Sequence, residues 1–400
     1  MTIKHMTAMA LTAATLLMNG CGGGGIGGTG SPEASGMGTL NFKLTDAPAC
    51  GYDEVNVTIE KVRVHQSAGA ADGDSGWSEV VLSPARRVDL LSLTNGALVE
   101  LWQKMLPAGK YTQLRLVLAP NGATPPYANS VVPTGGTETK LDTPSAVQSG
   151  IKVNLDVDVP SDKVVDLVLD FDACKSVVRA GKSGKYNLKP VIAATAVFSD
   201  AGLRVVGYVD PLLNLNSTNV SVQYNGVPMK ATVPDVNGKF VLYPVPVGQY
   251  DLVVSAAGRV TAVLSSVPVT TTEYTVINSA LAPIVPPTAT TGAVTGTVAS
   301  TTATTATVRA LQTLTGGPTV EVAWAAVDVP TPLTGTFGFA LPIGAPVRAS
   351  FLNKPTTLIF APDTAAASKY TIEASSGGVV KPPQAIDVSA VVPPLTFTFP

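Results

Sequence analysis

Six aspartates, Asp46, Asp156, Asp158, Asp166, Asp170 and Asp172, are the carboxylates whose grouping could do chemistry in this chain. Two carboxyls held about 5 Å or about 6.5–9.5 Å apart would make a general acid/base pair for glycoside hydrolysis. Asp46, Asp170 and Asp172 are instead the set that could offer oxygen ligands to Ca²⁺. The pattern also has a plainer reading. Asn154, Asp156 and Asp158 fall at every second position of Ile151–Val159 and mark the wet face of a strand. Asp46, in Thr45-Asp-Ala-Pro48, suits a turn without any metal. No catalytic residue and no metal are therefore assigned. His65 ends an alternating run from Val55 and reads as a polar residue at a strand end. Trp77 follows the acidic Asp72-Gly-Asp-Ser-Gly76 loop. It is either a side chain displayed for a ligand or a core anchor opening the strand Trp77–Leu82.

The elements that must position these groups are strands. Leu40–Leu44, Val55–Val64, Leu114–Leu118, Ile151–Val159 and Val164–Phe171 follow one another, and Ile151–Val159 alternates strictly as a half-buried antiparallel strand should. Ala97–Met105 could form a short helix with Leu98, Leu101, Trp102 and Met105 on one face; an irregular crossover is the alternative. A phrase then recurs: Leu106-Pro-Ala-Gly-Lys-Tyr111, Val245-Pro-Val-Gly-Gln-Tyr250 and Leu341-Pro-Ile-Gly344. Proline presets φ for a turn, glycine accepts a positive φ, and the chain leaves into a strand. Val205–Val209 and Val294–Val298 both read Val-x-Gly-x-Val. Each is followed by Asn237-Gly-Lys-Phe240 or Thr334-Gly-Thr-Phe337. Such repeats predict an all-β chain of tandem β-sandwich domains, immunoglobulin-like or prealbumin-like.

Composition narrows the function classes. Charged residues make up 14% of the chain, against roughly 25% in ordinary soluble domains, and the net charge is −2 without a basic block. Nucleic acid is excluded as a partner on that ground. Mean hydropathy is +0.30, yet the uncharged stretch Tyr274–Val308 carries Pro283, Pro286 and Pro287 among many threonines and reads as linker plus strand. The Gly-rich stretch at 22–30 has neither the strand–helix setting nor the lysine of a phosphate loop, so no nucleotide cofactor is expected.

Lys4, the apolar run Met6–Met18 and the segment Leu17-Met18-Asn19-Gly20-Cys21 together resemble the signal and lipobox of bacterial lipoproteins. Met18 stands where that family usually has Leu, and Asn19 where it has a smaller residue. The apolar run is too short to span a roughly 30 Å hydrocarbon core. The resemblance implies that residues 1–20 are a signal peptide and that Cys21 is lipidated, anchoring the chain in a lipid bilayer. Gly22 after the cysteine implies the outer membrane of a bacterial cell envelope. Residues 21–37 would be a flexible tether, long enough to hold the first domain about 20–25 Å from the lipid. Export would place Cys50 and Cys174 in an oxidising compartment, where an even pair reads as a disulfide closing a loop of more than a hundred residues. Two separate buried thiols are the alternative.

Residues 38–198 resemble a bacterial lipoprotein domain family of unknown function (domain of unknown function 4382). The likeness rests on Thr45-Asp-Ala-Pro48, Cys50-Gly-Tyr-Asp-Glu-Val-Asn-Val57, Lys61-Val-Arg-Val64, Leu106–Arg115, Leu169-Asp-Phe-Asp-Ala-Cys174 and Tyr186-Asn-Leu-Lys-Pro190. It implies no activity. Residues 203–283 resemble carboxypeptidase regulatory-like domains, prealbumin-like sandwiches classed with carbohydrate-binding-like folds. That likeness rests on Val206-Gly-Tyr-Val209, Asp235-Val-Asn-Gly-Lys-Phe240 and Pro246-Val-Gly-Gln-Tyr250. After a linker at 284–291, residues 292–400 read as a diverged sandwich in which Pro346 replaces the usual entry into the strand. The expected function is non-enzymatic: binding in the cell envelope, with carbohydrate or another envelope component as partner. A spacer or assembly protein that binds a protein partner is the alternative, and a glycan-active hydrolase is the third.

Overall fold

The structure is a computed structural model that describes residues 36–46, 51–180, 183–198, 201–329, 334–353 and 357–400. Cys21, Cys50 and the segment before Gly36 lie outside the described residues. The described residues are built of β-strands in six sheets, packed in pairs as tandem sandwiches.

The first sandwich faces a four-stranded sheet against an eight-stranded one. In the smaller sheet Met37–Asp46 runs parallel to Val164–Phe171 and antiparallel to Val99–Pro107. Leu40, Phe42, Leu44, Leu167 and Leu169 point into the core and meet Val57, Ile59, Leu114 and Leu116 from Tyr52–His65 and Gly109–Leu118. Ile151–Val159, at the edge of the larger sheet, buries every odd residue and exposes Lys152, Asn154, Asp156 and Asp158. That alternation is the physical basis of its one wet face.

One expectation needs correction. Ala97–Met105 is neither helix nor irregular crossover: Val99–Pro107 is a strand paired with Met37–Asp46. The register skips Leu101 between Glu100↔Lys43 and Trp102↔Phe42, so a bulge puts Leu101 inside and lets Trp102 stack on Phe42 with ring centroids 5.4 Å apart. The positions that mimic a helical stripe are explained by that one extra residue, which breaks the period of two. Met105 is left 62% exposed.

The middle and last sandwiches share a plan. In the middle one, Val205–Tyr208 lies between Lys239–Leu242, antiparallel, and Thr275–Val276, parallel. In the last, Thr291–Ser300 lies between Gly335–Pro342, antiparallel, and Leu395–Phe399, parallel. The glycine of each Val-x-Gly-x-Val stands opposite the phenylalanine of the following Gly-x-Phe. A Cβ at Gly207 would come within 2.5 Å of the Phe240 ring, and one at Gly296 within 2.3 Å of the Phe337 ring. Glycine is required there because the ring lies across the backbone, a cross-strand pairing that returns apolar cover to a bare position.

The recurring turn carries its own hydrogen bond. Tyr111 donates its hydroxyl to the Pro107 carbonyl (2.9 Å) and Tyr250 does the same to Pro246 (2.8 Å). In the third copy Pro346 occupies the tyrosine's position. The Pro342 carbonyl instead accepts from Tyr370, 2.6 Å away. Tyr370 lies in Lys369–Ser376, which pairs with Thr304–Thr313 just as Gly248–Ala256 pairs with Thr218–Tyr224. The last sandwich therefore holds an insertion between its turn and its tyrosine. Within that insertion Val347–Ser350 leaves the parent fold and joins the middle sheet, parallel to Ala262–Ser265, with Ala361–Pro362 beside it. Val347 is buried in the middle core.

Candidate functional site

The three sandwiches meet around a cleft of about 230 Å³. Its walls come from the short helix Ala173–Ser176 of the first, the strand Thr218–Tyr224 of the middle and the edge strand Thr319–Val329 of the last.

On Thr218–Tyr224, Val220 and Val222 face the middle core, so Asn219, Ser221 and Gln223 must face the other way. In an isolated sandwich that polar face would be wet. Here Ser221 and Gln223 are buried by the neighbouring sandwich. The Gln223 amide donates to the Glu321 carbonyl and accepts from the Glu321 N–H, both at 2.8 Å, reproducing a rung of a β-ladder with a side chain. The hairpin that follows turns at Asn225-Gly226, both at positive φ, as a two-residue turn of this type demands. The Gly226 carbonyl accepts from Arg309 (3.1 Å). Arg309 also holds Glu321 (3.2 Å) and Glu373 (2.5 Å). Burial pushes the Glu321 carboxyl above the usual carboxylate range, with Lys175 and Arg309 opposing the rise.

Asp172 caps the short helix, accepting from the Lys175 N–H (2.9 Å), and pairs with the Lys175 ammonium (3.1 Å). That ammonium lies 5.9 Å from the centre of the Trp324 ring. Asp170 is on the outer side of Val164–Phe171, beside Val168, and the middle sandwich covers both. Its carboxylate meets Lys230 at 2.5 Å, and Lys230 is only 3% exposed. Burial raises the Asp170 pKa, and the Lys230 charge counters it. Asp46 is buried and accepts from the Ala173 N–H (2.8 Å). So Asp46, Asp170 and Asp172 do gather around one helix, but each does structural work there. Among the described residues no group of three His, Cys, Asp or Glu side chains is placed to hold a metal ion.

The remaining candidates are scattered. Asp166 accepts from Asn41 (2.9 Å) and pairs with Lys43; Asp156 pairs with Lys110 on the surface. His65 accepts the Ser67 N–H at Nδ1 (2.8 Å), which leaves the proton on Nε2 to be donated to the Ser75 carbonyl (3.0 Å). Trp77 is half-buried rather than displayed. Its indole N–H donates to the Ala71 carbonyl (2.9 Å), and the guanidiniums of Arg63 and Arg115 lie 4.5 and 5.3 Å from its ring centre. Cys174 is buried at the start of the helix and its side chain is partnered; Cys50 lies outside the described residues. Nothing in the spacing of Trp324 or of Asn219, Ser221 and Gln223 marks them as a junction in the sequence. The Asn-Gly dipeptide at 225–226 is the sequence signal for that hairpin.

Comparison with known proteins places the first sandwich. Residues 37–190 match the family described as a domain of unknown function, DUF4382. No curated protein matches the chain. Among solved structures the chain is similar to a type II cohesin–X-dockerin complex of Acetivibrio cellulolyticus, at 23% identity over 22% of this chain and 59% of that one, TM-score 0.18. It is also similar to a Streptococcal ancillary pilin, at 10% identity over 90% of this chain and 98% of that one, TM-score 0.17. The major pilin SpaA of Corynebacterium diphtheriae gives 10% identity over 90% and 99%, TM-score 0.18. The match spans less than two thirds of the first two solved chains, 59% and 56%. At such TM-scores these likenesses carry no argument about function. The all-β architecture stands on the sheets themselves. No helix among the described residues is long and apolar enough to cross a membrane.

Proposed function

We propose that the chain is a non-enzymatic lipoprotein of the bacterial cell envelope, acylated at Cys21, whose sandwiches form one stiff body presenting a binding surface away from the outer membrane. The observation that carries this reading is the interlocking of the sandwiches: the last sends Val347–Ser350 into the middle sheet and meets Gln223 through Glu321, while Lys230 of the middle sandwich pairs with Asp170 of the first. Flexible linkers would leave such modules to move independently. Of the carboxylates that might serve catalysis, Asp156, Asp166, Asp170 and Asp172 are held in ion pairs and Asp46 accepts a backbone N–H, which favours binding over hydrolysis. A Cys50–Cys174 disulfide belongs to this reading, because Cys174 is buried and partnered next to Ala173, whose N–H donates to Asp46. So does kinship of the middle sandwich with carboxypeptidase regulatory-like domains, through Val206-Gly-Tyr-Val209 and its Gly207–Phe240 pair.

Metabolic labelling with a palmitate analogue tests the anchor. Label should enter the wild-type chain and be absent from Cys21→Ser; label retained in the variant would remove the lipoprotein reading. A second reading, an assembly protein that holds a partner protein, draws on the same stiffness. Crosslinking in the intact envelope separates it, since a single protein partner would favour it.

A further inference from the structure

We propose that the cleft between the three sandwiches binds one ring of a neutral sugar, with Trp324 as its stacking platform. The inference rests on the binding reading above and not on the anchor.

Size comes first. At about 230 Å³ the cleft falls below the roughly 300–1,000 Å³ of sites for drug-sized ligands, and suits one ring rather than an extended chain. Charge comes next. Asp172 is held by Lys175, and Glu321 shares Arg309 with Glu373, so each charged group on the walls already has a partner of opposite sign. What remains for a ligand is neutral hydrogen-bonding capacity beside an aromatic ring. The Asn219 amide, the Ser255 hydroxyl and the Trp324 indole N–H line the cleft without a hydrogen-bond partner among the described residues. Trp324 is half-buried, and its nearest cation stands 5.9 Å off, at the outer limit of a cation–π contact.

Trp77 makes the contrast. Its N–H is spent on Ala71 and two guanidiniums crowd its ring. A sugar ring has an apolar face that stacks on an indole and hydroxyls at its rim that reach amide and hydroxyl partners. Trp324 with Asn219 and Ser255 meets both needs, and Trp77 meets neither.

The test is saturation-transfer NMR on the full chain in detergent, against the methyl glycosides of glucose, galactose, mannose and N-acetylglucosamine. At least one glycoside should receive saturation. Trp324→Ala should weaken that binding tenfold or more, while Trp324→Phe keeps most of it. Asn219→Ala, on a strand whose core side is Val220 and Val222, should weaken it about fivefold and leaves the last sandwich untouched. Trp77→Ala should leave it unchanged. Binding that survives both Trp324→Ala and Asn219→Ala overturns the cleft. Absence of transfer to every glycoside overturns the sugar; a crosslinked envelope partner would then keep the broader binding reading alive, and absence of both would end it.

Discussion

The middle and last sandwiches use the same two devices, a glycine under a phenylalanine and a tyrosine hydroxyl on a proline carbonyl, yet they reach the second by different routes. In the middle sandwich Tyr250 is four residues after Pro246, and the chain runs straight into the central strand. In the last, Pro346 takes that place and Tyr370 makes the bond from 28 residues downstream. The residues between are not a passive loop, because Val347–Ser350 is a strand of the middle sheet. The lesson is that a hydrogen bond at a turn can be kept while the chain that supplies it is rerouted. The rerouted piece then becomes the joint between modules.

Breaking the joint should have the largest effect. Val347→Asp places a carboxylate without a partner in the middle core, at a cost of ~3–5 kcal/mol. Denaturant unfolding should split, with the last sandwich melting separately. Gln223→Ala removes the side-chain rung and leaves the Glu321 N–H and carbonyl buried and unmet, worth ~1–3 kcal/mol in the same assay. Equality of the two tyrosines is the next test: Tyr250→Phe and Tyr370→Phe should each cost ~1 kcal/mol by urea midpoints. A much smaller loss at Tyr370 would mean that the downstream tyrosine is not a true substitute.

The smallest effect concerns the latch where the insertion returns. Hydroxyls of Ser368 and Ser389, with the Ser389 N–H, hold the Asp387 carboxyl down at about 2. A depressed carboxyl lends stability above its unfolded value of about 3.9, and that share is lost as pH falls through about 2. Wild type should therefore lose more stability than Asp387→Asn between pH 4 and pH 2, by parallel acid melts. Equal slopes would show the latch to be idle.

Much of the first sandwich was legible where one face of a strand meets water. Ile151–Val159 shows its pattern openly, and Pro and Gly in Leu106–Tyr111 mark the turn, though not the tyrosine hydroxyl bond that closes it. What hid the junction was the same rule read too simply. Asn219, Ser221 and Gln223 alternate with valines and look like a solvated face, and Asp170 looks like a surface carboxylate. A period of two says that such residues share a face; it does not say what covers it. Lys230 and Asp170 are 60 residues apart, and only the packing of two sandwiches brings them together. At Ala97–Met105 a single bulge turned a strand's spacing into a helix's.

The central claim is that the sandwiches behave as one body, and scanning calorimetry of the full chain in detergent tests it most directly. One cooperative transition for the middle and last sandwiches, resolved into two by Val347→Asp, is the predicted result. Two separate transitions already present in the wild-type chain would contradict it.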